Sequence, residues 1–509
     1  MQGPTLPPPS EIHTTPPTPS ASPVKRPIGF FLLSMLMFGV ITSLHGLSPL
    51  ATYGVGSVFF FGFAAFGFLI PAGLVAVELG TRDRDRNGGV YLWAGEAFGA
   101  RTGFVAVWLQ WIQNLIFWTF LLVASAAMLA LSFGGTQLSQ NKAYVAGVSL
   151  GIVWLLTAVT FAGLRASGAI GTAGSIAGTI VPAAALIIAA AIYLALGNKS
   201  EAPLRADDLL PDLAEPGNIT FAISGILVFA GIEVMATRIR EVRNPLHTYP
   251  RSTWIAIALT ILVLMPATLA IAVLVPKQEL SIVTGIVQAL QGFFDEYGAA
   301  WVVQVLAALI FVDAIGEIAA WMTGPSVGLS IAASDGHLPS SFEVRTGRGA
   351  AKTVLFVQAV ISSVFTLLVL FQPTVRSAVW ILTALISLVY LIMYAIIFTA
   401  AIRLRFARPG RPDAWRIPGG KPGLLAVCGI GLIVSSAAIV ISFIPPSGMA
   451  EANVWNYTFV LAIAATVIVV APVVVSAVLF RRRKRAGTGD LAPGPGKAAG
   501  GGIIGEGDG

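Results

Sequence analysis

The sequence predicts an all-α polytopic membrane protein, in which twelve transmembrane helices form a five-plus-five inverted repeat with helices 1 and 6 broken. Three observations predict this fold. Of the 509 residues, 56% are hydrophobic and 11% are charged, whereas soluble domains usually carry about one quarter charged residues. Apolar stretches of about 20 residues, long enough to cross a bilayer, recur along the chain. Two of these stretches, five spans apart, are interrupted near their middle, which is typical of inverted repeats.

One large bundle accounts for nearly all of the chain. Residues 1–26 contain proline runs without apolar periodicity and are predicted to form a disordered cytoplasmic tail. The transmembrane domain is predicted over residues 27–480, and residues 481–509 are predicted to be a basic anchor followed by a disordered cytoplasmic tail. No room remains for a separate soluble domain. The predicted spans cover residues 28–53, 55–79, 102–133, 143–165, 169–197, 219–239, 253–275, 300–331, 353–371, 377–402, 424–444 and 456–480.

The distribution of basic residues predicts which side of the membrane each loop faces. With both tails on one side, all but five of the 31 lysine and arginine residues fall on that side. The positive-inside rule therefore places both termini in the cytoplasm, in a protein of the plasma (inner) membrane. The net charge of +7 reflects this anchoring, since a basic run from Arg481 to Arg485 directly follows the last apolar span. A nucleic-acid partner is therefore not predicted.

The first apolar span is interrupted at Gly46, Ser48 and Pro49. Glycine tolerates an unwound backbone, and proline removes a backbone donor. Ser48 is expected to cap a second half-helix whose unpaired N–H groups point at the middle of the bilayer. Such groups favour a carboxylate, so the break predicts a carrier for a small solute that bears one. His45 lies at the break and is interpreted either as a packing residue or as a pH-responsive substrate contact.

The sixth span is interrupted in a similar way, at Gly231 and Glu233. Glu233 lies near the start of the inner half-helix, whose dipole stabilises an anion. Three roles are open for Glu233: a gate contact, a proton-linked acid or a structural cap. Because an ionisable group at this depth is costly, the functional roles are favoured. The binding site is expected where the two breaks face each other.

The eighth span carries two acids, Asp313 and Glu317, on one helical face, and Trp321 follows on or near that face. If both carboxyls are buried, they are not expected to be ionised together, so that one proton is shared or exchanged during transport. Alternatively, one acid caps a backbone break or pairs with an arginine. Trp321 is interpreted either as a pocket wall or as an interfacial anchor.

Polar residues in two further spans have the same two interpretations. Tyr390 and Tyr394 in span 10 lie one helical turn apart, and their hydroxyls either bind a substrate or pack between helices. Gln110, Gln113 and Asn114 in span 3 either line the same cavity or join neighbouring helices.

Other chemistries have no sequence signal. No Gly-rich lysine loop that would cradle ATP phosphates is present, and no His, Cys or carboxylate residues have metal-ligand spacing. The one cysteine, Cys428, lies in an apolar run, and a single cysteine excludes an intrachain disulfide. No nucleophile can be paired with a base from spacing. The protein is therefore predicted to be no enzyme and to use no cofactor or metal. Its predicted partners are a small solute, protons and the lipid bilayer.

Seven short stretches distributed over the chain form a recognisable set: Val77-Glu-Leu-Gly, Gly88-Gly-Val-Tyr-Leu-Trp, Gly231-Ile-Glu-Val-Met-Ala-Thr, Asn244-Pro-Leu-His-Thr-Tyr-Pro, Glu317-Ile-Ala-Ala-Trp-Met-Thr-Gly-Pro-Ser, Tyr390-Leu-Ile-Met-Tyr and Arg416-Ile-Pro-Gly-Gly-Lys. With them the chain resembles the amino acid/polyamine/organocation superfamily, and within it the bacterial glutamate/γ-aminobutyrate antiporters. The resemblance implies a leucine-transporter-type fold with two added helices, and sodium-independent exchange of amino-acid substrates by alternating access. It also implies that Glu233, Glu317, Trp321, Tyr390 and Tyr394 belong to the pocket or its gate.

Three features depart from the pattern of that family. His45 stands where relatives tend to carry a tyrosine, and Asp313 stands where a small or apolar residue is usual. The C-terminal plug that blocks the inner mouth near neutral pH is not recognisable in a tail without histidine. Amino-acid antiport of the glutamate/γ-aminobutyrate type is the main hypothesis. A proton-coupled permease for another amino acid or amine is the alternative, and a passive channel or transporter-derived sensor is the rival from another class.

Overall fold

The computed structural model describes residues 28–485 except for short segments at 87–88, 162–168, 204, 212–225, 227–228, 323, 344–351, 373, 409–411 and 446–450. The predictions for residues 1–26, for residues 486–509 and for most of the outer half of span 6 lie outside the described residues. Throughout the described part the regular elements are helices, and no strand forms there. An isolated backbone bridge joins Ile28 to Val242.

The described chain forms the following α-helices in order. They are α1 (Phe30–Ile41), α2 (Leu47–Ala51), α3 (Gly56–Ala64), α4 (Ile70–Arg82), α5 (Val90–Phe98), α6 (Ala100–Ser132), α7 (Thr136–Ser139), α8 (Lys142–Phe161), α9 (Ala169–Ala195), α10 (Pro245–Leu274), α11 (Gly285–Glu296), α12 (Ala300–Trp321), α13 (Gly324–Ser334), α14 (Lys352–Leu370), α15 (Val375–Ala407), α16 (Gly420–Ile441) and α17 (Glu451–Arg485). A π-helical turn over Ala65–Leu69 joins α3 to α4, and a 3₁₀ helix spans Ile232–Glu241.

Ten stretches of the described chain are long and apolar enough to cross a membrane, and the protein is therefore a multi-pass membrane protein. They correspond to predicted spans 1–5, 7, 8 and 10–12. Predicted span 9 corresponds to a shorter apolar stretch, Lys352–Leu368, and span 6 is described only in part. The total of twelve spans and the inverted repeat therefore stay predictions.

The first span is interrupted where the sequence predicts a break. α1 ends at Ile41, two extended residues follow, and a 3₁₀ turn over Leu44–Gly46 leads into α2. The N-cap of α2 is Gly46, and no side chain caps it. The prediction that Ser48 caps this half-helix is therefore wrong. Because the 3₁₀ turn over Leu44–Gly46 runs directly into the helix at Leu47, Ser48 lies inside the first turn rather than before it.

The described part of span 6 is interrupted at Gly231, whose φ of +120° is rarely adopted by residues with a side chain. Beyond it the chain forms the 3₁₀ helix over Ile232–Glu241. The end of this helix is tied to the start of the first span. The Ile28 amide donates to the Glu241 carbonyl at 3.2 Å, and the Arg243 amide donates to the Ile28 carbonyl at 2.9 Å. The inner halves of the two broken spans thus share two backbone hydrogen bonds.

The eighth span is divided into two helices, although its sequence predicts one continuous stretch over 300–331. α12 ends at Trp321, and α13 begins at Gly324. Pro325 follows directly. Proline has no N–H to donate to the Trp321 carbonyl four residues earlier, which accounts for the end of α12 at Trp321.

We call the end of the bundle that carries residues 83–86, 335–343 and 412–419 the inner end. The charged loop after α4 lies at this end, and its arginines form ion pairs. Arg82 and Arg86 both pair with Glu96, the former at 3.0 Å, and Arg84 pairs with Asp413 at 2.6 Å. These three arginine side chains are 13%, 32% and 17% exposed. Glu96, whose ion pairs hold the loop in place, belongs to α5, a helix that the sequence analysis did not predict.

A buried ion pair joins α4 to α15 near the inner end. The Arg405 guanidinium lies 3.2 Å from Glu78 Oε1, and the Ile417 amide donates to Glu78 Oε2 at 2.8 Å. Arg405 also donates to the Ile417 carbonyl at 3.3 Å. The Arg405 and Glu78 side chains are 9% and 8% exposed. Two of the sequence motifs, one at the end of span 2 and one after span 10, are therefore in contact with each other.

Tyr91 connects α5 to the end of α13 by a hydrogen bond. Its hydroxyl donates to Asp335 Oδ2 at 2.5 Å. Burial raises the pKa of Asp335, against smaller lowering effects of the Tyr91 hydrogen bond and the Arg86 charge. Nearby, His337 stacks on Phe104 of α6 with ring centroids 5.3 Å apart. α5, α6 and the end of α13 are therefore held together at the inner end.

Candidate substrate site between the helix breaks

A cavity lies between the break in the first span and the helices α6, α12 and α15. Its volume is about 50 Å³, which is room for roughly four water molecules. Apolar and aromatic side chains form most of its wall, as is usual for small-molecule sites. The lining residues are Val40, Ile41, Ser43, His45, Gly46, Pro49, Gln113, Phe117, Phe120, Ala230, Ile282, Glu317, Trp321, Val379, Trp380, Thr383 and Tyr390.

The structure brings half of the predicted site residues to this cavity and places the others around it. The residues that line it are His45, Gly46, Glu317, Trp321 and Tyr390. The other five lie behind the lining: Gly231, Glu233, Tyr394, Ser48 and Asp313. Gly231 contacts Trp321, and Glu233 and Tyr394 contact each other. Ser48 packs on Gly285, and Asp313 packs on Gly178 and Thr179. The role of all of these residues in substrate binding stays a prediction.

Span 3 contributes polar residues for which the sequence left two interpretations, lining the cavity or joining neighbouring helices. Gln113 lines the cavity. Asn114 donates to the Trp321 carbonyl at 2.9 Å, and so supports the cavity wall at the point where α12 ends. Phe117 and Trp380 also line the cavity. No spacing pattern in the sequence distinguishes these two residues from the other aromatic residues of the spans.

Glu233 is surrounded by hydrogen-bond donors. The Tyr390 hydroxyl donates to its Oε1 at 2.5 Å, the Gln110 amide donates to the same oxygen at 2.9 Å, and the Tyr394 hydroxyl donates to Oε2. The Gly231 amide donates to the Tyr394 oxygen at 3.4 Å. Tyr390 borders the cavity, and Tyr394 lies one turn further toward the inner end of α15. This network therefore forms the inner floor of the cavity.

A second set of polar contacts lies in the cavity wall. The Ser43 hydroxyl donates to Glu317 Oε2 at 3.4 Å, and His45 Nδ1 lies 3.5 Å from the Ser43 oxygen. The break in the first span thus connects an imidazole to the carboxyl group of span 8 through one hydroxyl.

Three buried polar atoms of the cavity wall have no hydrogen-bond partner among the described residues. They are His45 Nε2, Gln113 Oε1 and Trp321 Nε1. Their side chains belong to residues that are 7%, 2% and 4% exposed. Buried polar atoms in folded proteins are nearly always satisfied, so each of these three atoms needs a partner. A ligand or water in the cavity can supply one.

Asp313 lies outside the cavity wall, although it shares α12 with Glu317. Thr179 of α9 donates to Asp313 Oδ2 at 3.2 Å. The two helices approach closely here, since a Cβ added to Gly178 would lie 2.5 Å from the Leu309 carbonyl oxygen. Asp313 therefore belongs to the packed contact between α9 and α12. The residue is 1% exposed.

The groups around the cavity are suited to noncovalent recognition. They comprise one carboxyl (Glu317), one imidazole (His45), one amide (Gln113), two indoles, three hydroxyls and several aromatic faces. Within the described part of the chain, no group of three or more His, Cys, Asp or Glu residues is placed to hold a metal ion. The site can therefore select a solute by charge and hydrogen bonding.

Replacing Gly231 by alanine is expected to lower both the folded yield and the activity. The added Cβ would lie 2.8 Å from the Trp321 ring and 3.2 Å from Val40 Cγ1. The positive φ adds strain of about 1–3 kcal/mol for a residue with a side chain. The clash also displaces Trp321 from the cavity wall. Size-exclusion chromatography and thermal unfolding in detergent measure the loss.

Gly39→Ala is the matched control for this substitution. Gly39 lies in α1, and a Cβ added there meets no heavy atom within 4 Å. Because alanine favours helices over glycine by about 1 kcal/mol, the Tm of this variant is expected to stay level or rise. Equal losses of Tm in the two variants would contradict the strain assigned to Gly231.

Comparison with known proteins identifies the family. The sequence profile described as amino acid permease matches residues 28–468. An uncharacterized transporter of Legionella pneumophila is 34% identical over 433 residues, which cover 85% of this chain and 93% of the relative. A glutamate/gamma-aminobutyrate antiporter of Lactococcus lactis is 26% identical over 453 residues, covering 88% and 89%. A probable agmatine/putrescine antiporter of the same species is 23% identical over 424 residues, covering 83% and 89%.

The matched region contains both helix breaks, the cavity and the buried ion pair of the inner end. The relatives just named are transporters by description. The predicted membership is thereby confirmed: this chain belongs to the amino acid permease family, within the amino acid/polyamine/organocation superfamily.

Proposed function

We propose that this protein is a secondary active transporter that exchanges amino acids by alternating access, in the manner of a glutamate/γ-aminobutyrate antiporter. The observation that carries the proposal is the cavity between the helix breaks, because three buried polar atoms of its wall lack a protein partner. The named substrates of the Lactococcus relatives support an amino acid or amine as the solute.

In this proposal the two ends of the cavity open in turn. Pro49, Ile282 and Trp380 border it on the side away from the inner end. On the inner side Tyr390 and Glu233 close it by a hydrogen bond of 2.5 Å. Release toward the inner end requires this floor to separate. We propose that the solute replaces hydrogen bonds of the floor as it passes, so that the buried carboxylate of Glu233 is not left without donors.

The orientation in the membrane is also a proposal. The basic residues of the inner end, including Arg82, Arg405 and Arg416, lie on the side that the positive-inside rule assigns to the cytoplasm. We therefore propose a plasma-membrane protein with both termini cytoplasmic, whose floor at Glu233 faces the cell interior.

A proton-coupled amino acid or amine permease is the second candidate. It is favoured by the two acids of α12, because Asp313 and Glu317 are both buried and lie one helical turn apart. Two like charges in a low-dielectric interior oppose each other, so one proton can be retained or exchanged at this pair during a transport cycle.

Counterflow in proteoliposomes tests the proposal and separates the two candidates. Vesicles are loaded with unlabelled glutamate, γ-aminobutyrate, agmatine or putrescine, and uptake of each labelled compound is followed. An antiporter is expected to take up label only when a suitable internal solute is present. Uptake into empty vesicles that is driven by an imposed pH gradient would favour the proton-coupled permease. A current that does not saturate with solute concentration would favour a channel and contradict both.

A further inference from the structure

We infer that the cavity binds a primary ammonium group of the transported solute through three acceptors: Glu317, Gln113 Oε1 and His45 Nε2. This inference rests on the proposed function, since it names the chemical group that the transport site recognises. It assigns binding roles to Gln113 and to the histidine at the first helix break.

The acceptors are all in the wall of one small cavity. Glu317 supplies a carboxylate, which uses one weak contact of 3.4 Å with Ser43 and keeps further lone pairs free. Gln113 Oε1 has no partner among the described residues. A primary ammonium has three N–H donors and no acceptor. Its donors therefore match three acceptors, and its positive charge matches the carboxylate of Glu317.

The contacts of Ser43 determine which nitrogen of His45 faces the solute as an acceptor. The Ser43 hydroxyl has one proton, and it is directed at Glu317. The Ser43 oxygen is then left to accept from His45 Nδ1–H, which lies 3.5 Å away. A neutral imidazole with its proton on Nδ1 carries a lone pair on Nε2. That lone pair is the buried atom without a partner.

Trp321 restricts the solute further. Its indole Nε1–H has no acceptor in the described part of the protein, and a cationic group cannot supply one. An oxygen of the solute, next to the ammonium, is therefore expected to accept from this N–H. The chemical class is a small solute that carries both a primary ammonium and a carboxylate or carbonyl oxygen.

An aromatic cage is the competing way to hold a cation in this cavity. Phe117 and Trp321 lie edge to face with ring centroids 6.0 Å apart, and aromatic faces attract quaternary ammonium groups without any N–H donor. The two modes make opposite predictions for a trimethylated amine. Hydrogen bonding to three acceptors excludes it, whereas an aromatic cage accepts it.

The experiment measures binding of γ-aminobutyrate and of its N,N,N-trimethyl analogue to the purified full-length protein by isothermal titration calorimetry. The wild type is expected to bind the primary amine at least tenfold more tightly than the analogue. His45→Phe and Gln113→Leu are each expected to weaken the binding of γ-aminobutyrate roughly tenfold or more and to reduce the preference for it over the trimethyl analogue. His45→Gln, which keeps a side-chain acceptor, is expected to recover part of the loss.

Ser435→Ala is the matched control, because Ser435 Oγ is also a buried atom without a partner but lies on α16, outside the cavity lining. Its affinity is expected to equal that of the wild type. Comparable binding of the trimethyl analogue by the wild type, or unchanged affinity in a folded His45→Phe or Gln113→Leu protein, would overturn the inference. Unchanged glutamate exchange in folded His45→Phe and Gln113→Leu proteins would also overturn it, while leaving the proposed function intact. No exchange of any tested amino acid would instead contradict the proposed function itself.

Discussion

Replacing Glu233 by glutamine is expected to lower the rate of amino-acid exchange roughly 10- to 100-fold while the protein still folds. The carboxylate accepts from Tyr390, Tyr394 and Gln110, and an ionised carboxylate is an acceptor at both oxygens. A glutamine replaces one of these oxygens with an NH₂ group, so at least one of the three donors loses its acceptor. The floor of the cavity loses a charge-assisted hydrogen bond, and its closed arrangement is no longer favoured. Counterflow in proteoliposomes measures the rate.

The matched control for this substitution is Glu241→Gln, on the same 3₁₀ helix. Glu241 pairs with Arg238 at 2.8 Å, but its side chain is 37% exposed. Exposed pairs of this kind contribute about 0–1 kcal/mol, so exchange is expected to stay within twofold of the wild type. Full exchange activity in a folded Glu233→Gln protein would show that the floor is a structural contact rather than a gate.

Replacing Arg405 by methionine is expected to give a large loss of stability, about 3–5 kcal/mol. Methionine fills a similar volume but leaves the Glu78 carboxylate buried without its cation. Glu78 then keeps the Ile417 amide as a donor at 2.8 Å, which does not compensate for a buried charge. Thermal unfolding in detergent and the yield of monodisperse protein measure the loss.

A double-mutant cycle provides the control for the Arg405 prediction. Adding Glu78→Gln to Arg405→Met removes the unpaired charge while the amide oxygen still accepts from Ile417. The double variant is therefore expected to be more stable than Arg405→Met alone. Arg238→Met, which breaks the exposed pair with Glu241, is expected to cost less than about 1 kcal/mol. Equal losses for Arg238→Met and Arg405→Met would contradict the importance of burial.

The backbone breaks were predictable because glycine and proline act locally. Gly231 stands at the second interruption with a positive φ, whereas at the first interruption the extended residues are Thr42 and Ser43, and Gly46 follows in a 3₁₀ turn. The start of the half-helix at Leu47 was not predicted. The choice between Gly46 and Ser48 as N-cap depends on how the neighbouring helices hold the chain, which a local pattern does not contain.

The grouping of side chains across helices was harder to predict. The four-residue spacing of Tyr390 and Tyr394 indicated a shared face, and both hydroxyls indeed contact Glu233. The same spacing in Asp313 and Glu317 gave a different result: one borders the cavity, and the other faces Thr179 of α9. Spacing fixes a face of one helix, whereas the neighbour of that face is set by tertiary packing.

The two amide hydrogen bonds between Ile28 and the 241–243 segment have a mechanical consequence for transport. They join the start of the first span to the end of the 3₁₀ helix, so tilting either one alone would break both hydrogen bonds. In the proposed transport cycle, the interrupted segments near Gly46 and Gly231 therefore act as two hinges that move together. A solute that leaves at the inner end would then require one joint movement of both inner half-helices rather than two separate movements.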